Sequence, residues 1–397
     1  METQSVSRRA VAIPLTVGRV HYLDTLRVLA VLMVFVFHAT KAFTVGGFLI
    51  TNEQTSIVAS IIFVAFLAPW GMPFFFMLAG AGSWFALQRR SARQFARERF
   101  QRLFIPYLVG SALFTPLQAF FEWRFVLQSE GYQASYLQFI FDRWGGWNPT
   151  ISDRLGYHLW FLIFLFIFSL LVLPLLIWIR DEGQGFIGIL NRLCEYRGGI
   201  LVFAFLPLII QFSLRPLFPD PHDWADFFYD LFFFLSGYMI FTDERFTRAI
   251  RRDWWLVLAV GLAALLGVVI TLAIGQAEAL FSDPGTPGYR FFWALVSIDA
   301  WCWSLFMMFI GMRFLDFSNR WTRYGQGAVV PFYLIHQPVI VAMAFFVVQS
   351  QTGVTLKMLS VVFSSFIFSV AIYEFLVRRF KPLRAVFGMK ADLHRGA

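Results

Sequence analysis

The chain has 397 residues, 58% hydrophobic and 14% charged, with a net charge of +9. A soluble globule of this size is not so apolar, so the chain reads as a polytopic membrane protein. Its basic residues fall in short segments between apolar runs, a pattern of membrane topology and not of nucleic-acid binding. No short apolar region with a small-residue cleavage site precedes the first span, which reads as an uncleaved anchor. Cys194 and Cys302 stand alone and the six histidines are scattered singly, so neither a disulfide framework nor a metal site is expected.

In chain order, residues 1–22 form an N-terminal segment. Apolar runs then place spans at 23–45, 57–87, 100–121, 157–179, 199–218, 226–242, 254–275, 291–315, 327–349 and 354–378, about ten in all. A tail, 379–397, follows. The expected fold is an all-α, polytopic integral membrane bundle with a single membrane domain over 23–378. Of the 33 basic residues, 25 lie at the N-terminus, from Arg378 onward, and in the segments Arg89–Arg102, Arg180–Arg197, Arg245–Arg252 and Arg313–Arg323. The positive-inside rule makes these cytoplasmic, with both termini inside a bacterial-type inner membrane and lipid all around. The opposite loops lean acidic, with Glu53, Glu130, Asp142, Asp153, Asp220, Asp223, Glu278 and Asp283.

The first span carries Asp24, Arg27, His38 and Lys41. At about 100° per residue, the steps from Arg27 to His38 end roughly 20° from whole turns, so both lie on one face, about 16 Å apart along the axis. Asp24 and Lys41 fall within about 60° of the same line. Ionisable groups inside a span are costly and are functional candidates by default. The plainer reading pairs Asp24 with Arg27 at the membrane edge and leaves His38 as a hydrogen-bonded core histidine.

Further along, Phe75-Phe76-Met77-Leu78-Ala79-Gly80 is echoed by Phe233-Phe234-Leu235-Ser236-Gly237, as if from a parallel repeat. Arg99 and Arg102, spaced to share a helix face, enter the third span from the basic side. Guanidinium forks suit phosphate oxygens, so this pair would hold a phosphate-rich donor such as a coenzyme A thioester, or else anionic lipid headgroups. The segment Glu122 to Gly156, on the acidic side, carries Trp123, Tyr132, Tyr136, Trp144 and Trp147, which suit stacking on sugar rings or an interfacial aromatic belt. His158 and Trp160 open the fourth span from that side. Asp299 and His336 lie inside the eighth and ninth. Glu374 is set to pair with Arg378.

The ordered set Leu23-Asp24-Thr25-Leu26-Arg27 with His38, Pro73-Phe74-Phe75-Phe76, Arg99-x-x-Arg102 with Ile105-Pro106, His158-Leu159-Trp160-Phe161-Leu162 and Tyr333-Leu334-Ile335-His336-Gln337-Pro338 resembles the membrane-bound acyltransferase-3 family. The branch it resembles includes the periplasmic-glucan succinyltransferases. The resemblance implies transfer of an acyl group, acetyl or succinyl, from cytoplasmic acyl-coenzyme A to a hydroxyl of a periplasmic or cell-surface glycan. Acyl-coenzyme A is then a co-substrate, and no bound cofactor is expected. It also implies that Arg27 and His38 carry the central motif.

On this reading Arg99, Arg102 and Arg27 hold the donor, and His38 is the general base on the acceptor hydroxyl. Asp299 or His336 is placed to fix its tautomer. His158, Trp160 and His336 face the acceptor. A covalent acyl-histidine is the alternative course. Two rival classes stay open: a proton-coupled carrier or flippase, which also shows charged stripes and proline-broken spans, and a glycan polymerase or ligase using the outer-loop carboxylates. No oligomeric state or partner protein follows from the sequence.

Overall fold

The computed structural model describes residues 20–128, 131, 133–142, 156–274 and 283–389. Arg8, Arg9 and Arg19, the loop residues Glu130, Tyr132, Trp144, Trp147 and Asp153, Glu278, the Asp142 side chain and the end of the tail lie outside the described residues.

Every regular element among the described residues is helical. Among the described residues, seven helices are long and apolar enough to cross a membrane. They are α1 (His21–Lys41), α2 (Ile57–Leu87), α3 (Ala92–Val126), α9 (Glu244–Ala273), α10 (Pro287–Phe314), α11 (Arg320–Val347) and α12 (Val354–Val377). Between α3 and α9 lie two bent pairs. In one, α4 (Tyr157–Leu171) meets α5 (Leu173–Asp181) at 51°, and in the other α6 (Gln184–Glu195) meets α7 (Gly199–Leu214) at 119°. A further helix, α8 (Trp224–Ile240), has 17 residues, and two short ones, Tyr136–Asp142 and Lys381–Val386, lie outside the spans.

Among the described residues the span count is therefore seven, or up to nine if each bent pair is one crossing. The expected ten is not established. The physical reasons are local: Pro174 at the head of α5 coincides with the first bend, and α8 is shorter than a perpendicular crossing asks for. Two basic segments expected as loops are helical instead. Ser91 and Gln94 cap the start of α3 reciprocally, and Asp243 caps α9, so both helices begin inside their arginine runs.

Sidedness within the bundle is clear even so. Arg180 donates to the Leu87 carbonyl (2.8 Å), Arg245 reaches Glu195 (3.3 Å), Arg102 reaches Gly388 (3.4 Å), and the Tyr22 amide donates to Asp316 (3.2 Å). The basic segments thus gather at one end. We call it the arginine end, and the opposite one the His38 end.

Burial sorts the helices. In their most apolar windows α10 and α11 are 67% buried, α9 and α12 only 22% and 28%, so the first pair is central and the second faces lipid. α1 packs among α2, α10, α11 and α12, which puts its polar stripe inside the bundle.

The echoed phenylalanine segments turn out to face each other. α2 packs along α8, and a Cβ built on Gly80 would run into the Phe234 carbonyl, one on Gly237 into the Met77 carbonyl. Each glycine admits the other helix's backbone. The echo marks a crossing between two helices.

Candidate active site

A cavity of about 660 Å³ opens along α1. Its α1 wall is Ala30, Met33, Val34, Phe37, His38 and Lys41, one helical face by spacing. The α2 wall runs from Leu67 to Phe75. Tyr157, His158 and Trp160 come from the start of α4, and Asp220, Pro221 and His222 from the loop before α8. The cavity therefore reaches the His38 end, and its deep part is apolar.

Three histidines from three helices meet beside it. The ring centres of His38 and His336 are 5.5 Å apart, and those of His336 and His158 5.2 Å. The Tyr333-to-Pro338 motif explains how. Pro338 has no N–H, so it leaves the Leu334 carbonyl without its usual helical donor, and His158 lies against this loosened turn. His158 Nε2 donates to the Tyr333 carbonyl at 3.0 Å, and His336 Nδ1 to the same carbonyl at 2.8 Å. Tyr333 returns a hydrogen bond from its hydroxyl to the His158 carbonyl. On the α4 side, Tyr157 has φ +57°, a strained value for a bulky residue. Its hydroxyl donates to Glu122 at 2.7 Å, which anchors that turn. Among the described residues no histidine, cysteine and carboxylate group is arranged to hold a metal ion.

Lys41 lies one turn beyond His38 on the same wall, its ammonium 5.9 Å from the Phe37 ring centre. No carboxylate among the described residues forms a salt bridge with it.

At the other end of the same face, one turn past Ala30, stands Arg27. It donates to Asp24 (3.1 Å) and to the Leu78 carbonyl (3.4 Å), and its guanidinium fills the space beside Gly82 that a side chain would occupy. Arg99 donates to Ser83 at 2.9 Å and stacks over Phe95 at 4.6 Å. Arg27, Arg90 and Arg102 lie within electrostatic range of Arg99. Glu98 is committed to Arg90 at 2.6 Å, so the patch is net positive.

Arg99 and Arg102 do not reach the same neighbour, although their spacing had put them on one face. Phe100–Phe104 forms a widened π turn, which changes the angle between them. Arg99 turns to α2, and Arg102 to the Gly388 carbonyl.

Asp299 goes elsewhere. It is fully buried in α10 with Tyr229 and Trp303 as polar neighbours, and it does not line the cavity. The structure does not bring it to His38. His336 does reach His38, but it lies behind it and lines no part of the cavity wall. Trp160 lines the wall, with His222 stacked on it at 4.1 Å.

His222 and Asp220 were missed as site residues. The signal was the Pro219-Asp220-Pro221-His222 turn between two apolar runs. His222 has φ +67°, and its amide donates to Asp226 at 2.8 Å. Asp226 also holds the buried Arg215. Burial pushes the His222 imidazole down to about 4, against the pull of Asp226 and with some help from Arg215. The folded state then binds fewer protons than the unfolded one between the ordinary histidine value and that figure. The neutral ring's contribution is whole above about pH 6.5 and is lost as pH falls toward 4, by up to about 3 kcal/mol. Thermal denaturation in detergent at pH 7.5 and 4.5 should show this acid sensitivity reduced in His222→Asn, which also tolerates the left-handed backbone.

A many-helix bundle with a histidine cluster over an internal cavity, and a basic patch at the far end of the same helix face, defines an integral-membrane protein with a polar interior site. A family model described as an acyltransferase domain matches residues 20–374, and the chain belongs to that family, acyltransferase-3. It is a multi-pass membrane acyltransferase. No curated protein and no solved structure matches the chain. Membership favours group transfer over the carrier and polymerase readings.

Proposed function

We propose that the protein moves an acyl group from acyl-coenzyme A, bound at the arginine end, to a glycan hydroxyl entering the cavity at the His38 end. The arginine end is cytoplasmic by the charge rule. The observation that carries this reading is the single α1 face on which Arg27, the cavity wall and His38 follow one another.

Arg99, Arg102 and Arg27 take the donor's phosphates by charge-assisted hydrogen bonds. The acyl arm lies along α1, with its apolar portion against Ala30, Val34, Phe74 and Phe75. His38 takes the proton of the acceptor hydroxyl as its oxygen bonds to the acyl carbon. The carbon–sulfur bond breaks, and the proton passes to the leaving thiolate. His158, Trp160 and Asp220 form the acceptor side, where a carboxylate accepts from sugar hydroxyls and an aromatic face packs on the ring.

The test is thiol release by the purified protein in nanodiscs, with acetyl- or succinyl-coenzyme A and a periplasmic glycan extract, together with the mass shift of the glycan. Glycan movement without thiol release would sink the proposal in favour of a carrier. Arg99→Gln is expected to raise the donor KM about tenfold with kcat little changed, as loss of one charge-assisted phosphate contact demands. Equal KM values for variant and wild type would remove Arg99 from the donor site.

A further inference from the structure

The histidine cluster holds an asymmetry that the transfer reading leaves unused. A carbonyl oxygen only accepts, so the proton of each bonded imidazole sits on the nitrogen that faces it. His336 Nδ1 lies 2.8 Å from the Tyr333 carbonyl and 3.2 Å from that of Phe332, so Nδ1 carries the hydrogen and Nε2 a bare lone pair. That Nε2 is buried without any hydrogen-bond partner among the described residues. A buried acceptor left unpaired is costly and calls for an explanation.

The ring has little freedom to turn away. Phe332 lies parallel to it at 6.0 Å and 5°, and Phe35 meets it edge-on at 6.3 Å. The nearest ring with a hydrogen to give is His38, at 5.5 Å between centres, a separation at which facing ring nitrogens come within about 3 Å. In the structure the two are neighbours and not hydrogen-bonded. Among the described residues, His38 itself bonds to no carboxylate or carbonyl. The groups around it are Phe37 and Lys41 on its own helix, Phe48, His336 and Gln337 beside it, and Tyr157, His158, Asp220 and His222 lining the cavity with it.

We propose that His336 is the positioning residue of the transfer: its Nε2 accepts the N–H of His38 and so turns the unprotonated nitrogen of His38 toward the cavity as the base. This rests on the acyl-transfer reading and deepens it. The Tyr333 and Phe332 carbonyl dipoles then stand where a carboxylate stands in a serine–histidine–aspartate triad, fixing the tautomer and favouring the charge that His38 takes up. The acceptor hydroxyl's proton goes to the free His38 nitrogen and from there to the thiolate sulfur. His336 keeps its Nδ1 hydrogen throughout and only accepts at Nε2, so no proton is gained or lost.

Three substitutions test it by thiol release from acetyl-coenzyme A in membranes carrying the native acceptor, with thermal stability followed in parallel. His336→Phe fills the same aromatic surroundings but accepts nothing. It should lower kcat 100-fold or more, with the donor KM within threefold of wild type. His336→Gln, whose amide oxygen reaches the Nε2 position, should recover at least tenfold over His336→Phe. His336→Asn, which reaches only the Nδ1 position, should not. Equal activity of His336→Phe and wild type overturns the proposal, as does equal loss in all three variants. Two other buried acceptors compete among the described residues: His158, whose Nδ1 likewise lacks a partner and would take over the role if His158→Phe alone lost activity, and Gln337, whose carboxamide lacks a partner and shares a small void with His38. Loss in Gln337→Leu with His336→Phe active would assign the role there and overturn the proposal. If the wild type releases no thiol at all, it is the acyl-transfer reading that fails, and this proposal with it.

Discussion

His38→Ala should abolish acyl transfer, lowering kcat by about 10²- to 10⁴-fold, the range a positioned general base supplies. Its imidazole is the one in the cluster that no carbonyl among the described residues holds, so neither of the other two cluster histidines replaces it as a base. His158 and His336 both spend a nitrogen on Tyr333. The same lack of hydrogen bonds predicts little structural damage: the ring is only partly buried, and its removal enlarges a cavity that already exists. Thermal stability should stay close to wild type while thiol release and glycan mass shift disappear together. Retained acylation in a folded His38→Ala protein would end the transfer mechanism given above. Asp299→Asn is the informative control, since that carboxylate lies in the α8–α10 region and its replacement should leave kcat within a few-fold.

Gly237→Leu has the largest effect expected on the fold. Its Cβ would meet backbone, the Met77 carbonyl, and Gly80 stands in the reciprocal position against Phe234. A clash with backbone is not relieved by turning a side chain, so the helices must part. Overpacking costs about 1–3 kcal/mol in ordinary cores and more where nothing yields. Here the consequence spreads, because α2 carries both the cavity wall from Leu67 to Phe75 and the Leu78–Ser83 stretch on which Arg27 and Arg99 rest. Folded yield after size-exclusion chromatography should fall several-fold, and surviving protein should lose donor affinity as well as turnover. A Gly237→Leu protein with normal yield and melting temperature would show that the crossing relaxes at no cost.

Much of the site was legible because it lies on one helix. The spacing of Arg27, His38 and Lys41 is a property of α-helical geometry, and an ionisable stripe in an oily segment has few explanations. The meeting of His38, His158 and His336 was not legible, since it depends on how α1, α4 and α11 pack, and periodicity within a helix says nothing of its neighbours. That Arg99 and Arg102 turn to different neighbours was not legible for a local reason, a π turn that no residue type announces. That Asp299 lies away from His38 was not legible for a tertiary reason: its position along α10 suits the histidines, but its helix face turns to Tyr229 and Trp303. The number of spans suffered where prolines and short helices made length ambiguous, at α4–α5 and at α8.

The lining of the cavity stops at Ala30, short of Arg27. Any membrane that sustains a potential drives each elementary charge with about 2.3 kcal/mol per 100 mV, and a continuous wet shaft through this bundle would leak. Apolar constrictions hold back ions by staying dry, and Ala30, Val34, Phe74 and Phe75 give the deep part of the cavity an apolar lining of the same character between the two polar ends. The resting protein should therefore be electrically silent in a planar bilayer, carrying no proton or ion current. An acyl arm that fills this apolar stretch keeps it dry, so a catalyst working across the barrier need never short-circuit it.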